Sequence, residues 1–247
     1  RQCADWIDSY LKLTENTEPP EIFHKWVAIS CIAACLQRKC VLPWGRLRFY
    51  PNLYVVLIAP PGRARKGTAM DPVMQFLEEP RLNIRLAAEA ITREQLIREL
   101  QNSEEIITLP DGRLMSHCSL TICNSELTVF LGYKNPQLID DLTDWYDCKR
   151  RWIYRTKTSG EYEISGVWVN ILGATTPELL RSSLPPVAIG GGLTSRMVFV
   201  YAGQKRRTVP DPFLTKEDLI LEEYLVNDLE GIRILAGEYQ PTEDYIT

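Results

Sequence analysis

The chain has 247 residues, of which 45% are hydrophobic and 24% charged. This is ordinary globular composition, long enough to bury a core without staples, and it excludes a disordered, collagenous or coiled-coil chain. The formal charge of −4 excludes a globally basic nucleic-acid wrapper and leaves room for a local basic patch.

The longest apolar stretch, Trp26 to Cys35, is about half a membrane span, so no transmembrane helix and no membrane partner are expected. No signal peptide is evident. Seven cysteines without repeated spacing read as buried free thiols in a reducing cytoplasm. Only His24 and His117 are present and no C-x2-C pair occurs, which argues against zinc. The chain begins at Arg1 and ends at Ile246-Thr247 within an apparent new helix, so a piece of a longer protein is expected.

In chain order, residues 3–18 and 21–39 predict two helices, the second more apolar, separated by Glu18-Pro-Pro-Glu21. Short strands are expected near Val41-Leu42 and Arg46–Phe49. Leu53–Ile58 is a continuous apolar run of strand length, the pattern of a parallel strand covered on both faces. A helix to Glu79 follows a basic loop, and Asp71-Pro72 offers it an alternative start. Thr92 and Gln95 form a capping-box pattern for a helix over 92–102. Beyond the Pro110-Asp-Gly112 turn, 117–124 reads as a buried strand, 126–132 and 136–147 as helices, and 151–157 with 161–165 as a hairpin. Val167–Leu172 and Met197–Tyr201 are core strands flanking a helix over 177–184 and the Gly190-Gly-Gly192 loop. Residues 204–212 read as a solvated linker before a helix over 215–229. Strands alternating with helices predict an α/β sheet.

Ala59-Pro-Pro-Gly-Arg-Ala-Arg-Lys-Gly-Thr68 occupies the strand-to-helix position of a phosphate-binding loop. There, backbone N–H groups and the helix dipole face an anion, a lysine reaches the β- and γ-phosphates, and a hydroxyl holds Mg²⁺. Pro61, Gly62, Arg65, Lys66, Gly67 and Thr68 are the candidate nucleotide contacts. The pattern is degenerate: Arg65 replaces the second glycine, Gly67 stands where the hydroxyl belongs, and one extra residue follows Gly62. An exposed basic turn is the competing reading.

Three further segments follow in order. Ser119–Glu126 is a strand ending in an acid, Trp168–Pro177 a strand ending in a polar tip, and Gly190–Val200 contains Leu193-Thr-Ser-Arg196 before a strand. Together with the loop, they resemble an AAA+-like P-loop ATPase, most closely the phage and prophage replication helicases with a degenerate P-loop, which are often primase-associated. Superfamily 3 viral helicases are more distantly similar. The resemblance extends to the amino-terminal Tyr10–Pro20 and Phe23–Trp26 segments.

It implies a three-layer P-loop fold: a helical cap over 1–48, an ATPase core over 49–203, and a linker with a truncated helical lid over 204–247. It implies ATP and Mg²⁺ as ligands, with Lys66 on the phosphates and Thr68 on the metal. Glu126 would be the Walker B glutamate, Thr176 sensor 1, and Arg196 an arginine finger acting in trans within a ring, hexameric by this resemblance. Ser125 stands where Walker B has an Asp, which leaves the metal site incomplete. Taken singly, Glu126 can be a solvated helix-start acid, Thr176 an N-cap, and Arg196 a partner for some acid.

Lys149–Lys157 holds five basic residues, with Trp152 and Tyr154 interleaved. Arg150, Arg151, Arg155 and Lys157 are therefore candidate contacts to single-stranded or forked DNA. An amphipathic edge strand with its aromatics packed inward reads equally well. The expected function is the ATPase motor of a replicative DNA helicase. The rivals are a non-hydrolysing scaffold of the same fold and a P-loop ATPase acting on something other than DNA.

Overall fold

The computed structural model describes residues 1–132, 135–156, 160–183, 192–240 and 242. Lys157 and the Gly190-Gly191 part of the glycine loop lie outside them. The described residues form a mixed α/β fold with eight α-helices: α1 Trp6–Leu13, α2 Glu21–Leu36, α3 Lys66–Glu78, α4 Arg93–Asn102, α5 Leu127–Leu131, α6 Pro136–Tyr146, α7 Pro177–Ser183 and α8 Lys216–Arg233. The strands are β1 Cys40–Trp44, β2 Leu47–Phe49, β3 Tyr54–Ile58, β4 Glu104–Thr108, β5 Leu114–Asn124, β6 Arg151–Thr156, β7 Gly160–Ser165, β8 Val167–Thr175, β9 Met197–Tyr201 and β10 Gly237–Glu238.

The central sheet has the order β4-β5-β8-β3-β9. β3, β5, β8 and β9 run parallel, and β4 pairs antiparallel to β5. Beyond the β4 pairing, a parallel bridge from Leu86 to Thr121 extends the same edge. All five residues of β3 are buried, as a β-branched, two-faced strand requires. Its pleat divides them: Val55 and Leu57 face a cluster with Trp6, Phe23, Met70 and Leu225 from α1, α2, α3 and α8. Tyr54, Val56 and Ile58 face a second cluster with Leu96, Leu127, Leu142 and Trp145 from α4, α5 and α6. Helices thus cover both faces of the sheet.

α1 is shorter than its predicted 3–18. The Thr14 hydroxyl donates to the Tyr10 carbonyl at 3.0 Å, and the Thr14 and Thr17 carbonyls accept from Arg206 instead of continuing a helix. α3 begins at Lys66 rather than Asp71, because Ala69 and Met70 are fully buried in its core stripe. Pro72 therefore sits inside the helix and leaves the Thr68 carbonyl without its helical donor. All seven cysteines are free and buried. No described helix is long and apolar enough to cross a membrane.

Gly166 is required where β7 turns into β8. Its φ is +62°, and a Cβ there would lie 2.7 Å from the Ser116 carbonyl oxygen and 2.9 Å from the His117 Cα. Both obstacles are backbone and cannot rotate away. Gly166→Ala is expected to cost about 2–4 kcal/mol, combining left-handed strain with overpacking, measured as a lower urea midpoint at unchanged slope.

Candidate functional site

β3, β5 and β8 end at one edge of the sheet, at Ile58, Asn124 and Thr175. In an open α/β sheet, the crevice beyond the carboxyl ends is where ligands bind. The 59–65 loop leaves β3 there, with the Ala59 N–H bonded to the Thr175 carbonyl at 3.4 Å. Pro61 and Gly62 are exposed at its tip, and Gly62 has φ +67°. Arg65 is left-handed at φ +52° and turns the chain into α3. A non-glycine residue in this conformation costs about 1–2 kcal/mol. An ion pair at 2.7 Å from Arg65 to Glu18 holds it.

The first helical N–H to bond back is that of Ala69, to the Arg65 carbonyl at 3.1 Å. The N–H groups of Lys66, Gly67 and Thr68 precede it, at the positive end of the helix. A Cβ on Gly67 would meet nothing within 4 Å, so the space beside this turn is open. The Thr68 side chain is exposed. The Lys66 ammonium folds back onto its own loop and donates to the Ala59 carbonyl at 3.0 Å.

Burial lowers the Lys66 pKa, and the carboxylates of Glu126 and Glu178 oppose that shift. Their charges reach the lysine, but among the described residues neither acid pairs with it: its one hydrogen bond is to the Ala59 carbonyl. Glu178 is an addition that sequence reasoning missed. Its only signal was its place in the first turn of the helix that follows the third parallel strand. Glu126 is the residue before α5, and its N–H is fixed by the Asn124 side chain at 2.8 Å. Asn124 is buried and its amide also donates to the Glu89 carbonyl at 2.8 Å. β5 thus ends on an amide and an exposed Ser125 rather than on a second carboxylate. Among the described residues, no group of three His, Cys, Asp or Glu could hold a metal. Of the candidate Mg²⁺ ligands, the Thr68 hydroxyl is exposed in the first turn of α3.

Thr176 follows the buried Thr175 at the same edge, and its hydroxyl caps α7 by accepting from the Leu179 N–H at 3.2 Å. Arg196 is not at this edge. It precedes β9, whose first residue, Met197, pairs with Tyr54 at the start of β3. The length of β3 therefore separates it from the loop, about 17 Å at 3.3 Å per residue. Its guanidinium binds Asp147 at 3.0 Å and the Gly192 carbonyl at 3.1 Å.

Lys205 and Arg206 are not the solvated linker that their sequence suggests. The Lys205 ammonium pairs with Glu18, its N–H donates to the Arg63 carbonyl at 2.8 Å, and the Arg206 N–H donates to the Glu18 carbonyl at 3.0 Å. Bonds from Lys205 and Arg65 hold the Glu18 carboxyl at about 2, far below its ordinary value. The loop is thus braced from the amino-terminal helices and from the segment after β9.

The β6–β7 hairpin packs its aromatic face inward. Trp152 is buried edge-on to Trp145 at 5.5 Å and stacked with Tyr154 at 6.0 Å. Arg93 lies 4.5 Å above Tyr154 and pairs with Asp141 at 2.6 Å. On the outer face, Arg151 pairs with Glu163 at 2.5 Å and Arg155 with Glu161 at 2.9 Å. Lys149 pairs with Asp144 at 3.0 Å. Lys157 lies outside the described residues.

No protein-family model matches the chain, and no curated protein matches it.

Proposed function

We propose that the chain is the core of an AAA+-like P-loop ATPase that couples ATP hydrolysis to movement on DNA, as in a phage or prophage replication helicase. The observation that supports the ATPase reading is the loop 59–65, which leaves the carboxyl end of β3 and delivers Lys66 to the open amino-terminal turn of α3. The DNA half rests on the family resemblance.

In this reading, the N–H groups of residues 66–68 and the Lys66 ammonium bind the β- and γ-phosphates. A phosphate would replace the Ala59 carbonyl as the partner of the partly buried Lys66 ammonium. Mg²⁺, held by Thr68 and the phosphates, would offset their negative charge. Glu126 orients the attacking water, and Thr176 stands beside it at the tip of β8. Arg196 acts on a neighbouring subunit, because its own nucleotide lies at the far edge of the sheet. The homo-oligomeric ring and a primase domain in the parent protein both rest on the resemblance.

Glu126→Gln is expected to keep ATP affinity and lower turnover at least about 100-fold. Equilibrium binding of a labelled ATP measured beside steady-state phosphate release separates the two effects. Unchanged turnover would remove Glu126 from the chemistry.

A second reading has its own observation. β5 ends Asn124-Ser125, and Arg65 is clamped to Glu18 where a glycine would leave the loop free. These favour a scaffold that binds nucleotide without hydrolysing it. It predicts that wild type and Glu126→Gln bind ATP alike and that neither turns it over.

A further inference from the structure

The basic run 149–157 does not present itself as a block. Three of its cations are paired across the hairpin or along the chain, whereas Arg150 has no ion pair among the described residues. Arg150 instead lines a cleft of about 690 Å³ at the base of the hairpin. Four other cations line it: Arg38, Lys39, Arg48 and Arg113, against only two carboxylates, Asp111 and Glu238. A chain of net charge −4 thus concentrates positive charge in one concavity. Asp111 pairs with Arg113 at 2.6 Å and Glu238 with Arg48 at 3.4 Å, so the lining keeps three more cations than carboxylates, and a bound phosphate would compete with those two acids for their arginines.

The cleft runs into a second, apolar hollow of about 500 Å³, with Tyr50 and Gln240 common to both. Phe49 and Tyr239 line the apolar half and are 51% and 43% exposed. The Arg38 guanidinium lies 4.3 Å from the Tyr50 ring centre, and its Nη1 donates to the Val167 carbonyl at 2.9 Å, so the wall between the two halves is fixed. Ser116 near the start of β5 and Gly166 before β8 form part of the lining. The cleft therefore lies toward the amino-terminal edge of the sheet, away from the phosphate loop.

We infer that this cleft binds single-stranded nucleic acid, with the sugar–phosphate backbone along Arg48, Arg113 and Arg150 and a base against Phe49 and Tyr50. Cations neutralise phosphates, and exposed rings accept bases of any sequence. The cations come from four separate segments rather than one loop, an arrangement that suits successive phosphates of a strand. The inference rests on the nucleic-acid half of the proposed function and is independent of hydrolysis.

The test is fluorescence anisotropy of a labelled oligo-dT with the full chain, at low salt and without ATP. Arg113→Glu with Arg150→Glu alters two exposed side chains and is expected to weaken binding at least about tenfold and to flatten the salt dependence by about one ion per arginine. Phe49→Ala is expected to weaken binding several-fold with the salt slope unchanged. Lys66→Ala is expected to bind as wild type does. Wild-type affinity in the double variant would overturn the inference. Loss confined to Arg151→Glu with Arg155→Glu would overturn it too, while leaving DNA as the partner. Displacement by inorganic tripolyphosphate at matched phosphate concentration would overturn it in favour of a small-anion site. Failure of the wild-type chain to bind would overturn both it and the DNA half of the proposed function, leaving the ATPase half standing.

Discussion

Lys66→Ala is expected to abolish the thermal stabilisation that ATP and Mg²⁺ confer on the wild-type chain. At a ligand concentration about 100 times Kd, binding adds about 2.7 kcal/mol, a rise in Tm of roughly 5–10 °C for a domain of this size. A charge-assisted contact to phosphate is worth about 1.5–3 kcal/mol, and the lysine makes more than one in the proposed geometry. Two such contacts are worth about 3–6 kcal/mol, so their loss costs more than about 100-fold in affinity, puts the ligand at or below its Kd and leaves at most about 0.4 kcal/mol of stabilisation. The unliganded variant is expected to melt within a few degrees of wild type. It loses one hydrogen bond to the Ala59 carbonyl, worth about 1 kcal/mol, and gains relief from burying an ammonium. An equal ATP-induced shift in both proteins would remove Lys66 from the nucleotide site.

The second large effect is acid lability from two buried, neutral histidines. His24 accepts or donates one hydrogen bond, at 2.9 Å with Thr17, and its Nδ1 has no partner among the described residues. His117 bonds Ser119 at 2.9 Å through Nδ1, and its Nε2 is likewise without one. Burial pushes each down to about 4, and nearby cations add to it: Arg206 at His24, and Lys39, Arg233 and Arg38 at His117. Glu105 opposes the shift at His117. Because the folded pKa lies below the unfolded value of about 6.5, the unfolded chain takes up the proton first on acidification. Stability is therefore full above pH 6.5 or so and falls toward pH 4, by at most about 3 kcal/mol for each histidine. Urea midpoints between pH 7.5 and 5 lie above the range where carboxylates titrate and isolate this effect. His24→Gln and His117→Gln should each flatten the slope, whatever they cost in absolute stability. A midpoint independent of pH over that interval would contradict the buried-neutral assignment.

Much of the sheet was legible because burial writes itself into composition. Leu53–Ile58 and, apart from Asn170, Val167–Leu172 are apolar on both faces, the pattern of a covered parallel strand. β4 was not legible: Glu104-Glu-Ile-Ile-Thr108 is short, half-exposed and acidic, and it is a strand because β5 continues past the core to pair with it. The start of α3 was ambiguous because Asp71-Pro72 is a good local cap. The buried stripe through Ala69 and Met70 overrode that preference.

At the candidate site, the sequence carried Lys66 and Glu126 through order and spacing. Glu178, whose charge also reaches the lysine, became visible only once β8 lay beside β3. The hairpin illustrates a limit of counting charges. Five cations in nine residues suggested a contact surface, yet strand pairing sets Glu161 and Glu163 among them and leaves Arg150 in the cleft. The docking of Lys205 and Arg206 onto Glu18, Arg63 and the end of α1 likewise depends on segments nearly the whole chain apart.

The most direct test of the ATPase reading is steady-state ATP turnover by the chain against its own concentration, with and without single-stranded DNA, beside Lys66→Ala. A ring-forming DNA motor predicts turnover that rises cooperatively with concentration, increases with DNA and vanishes in the variant. Turnover no higher than the variant's, in protein shown to be folded and assembled, would contradict it.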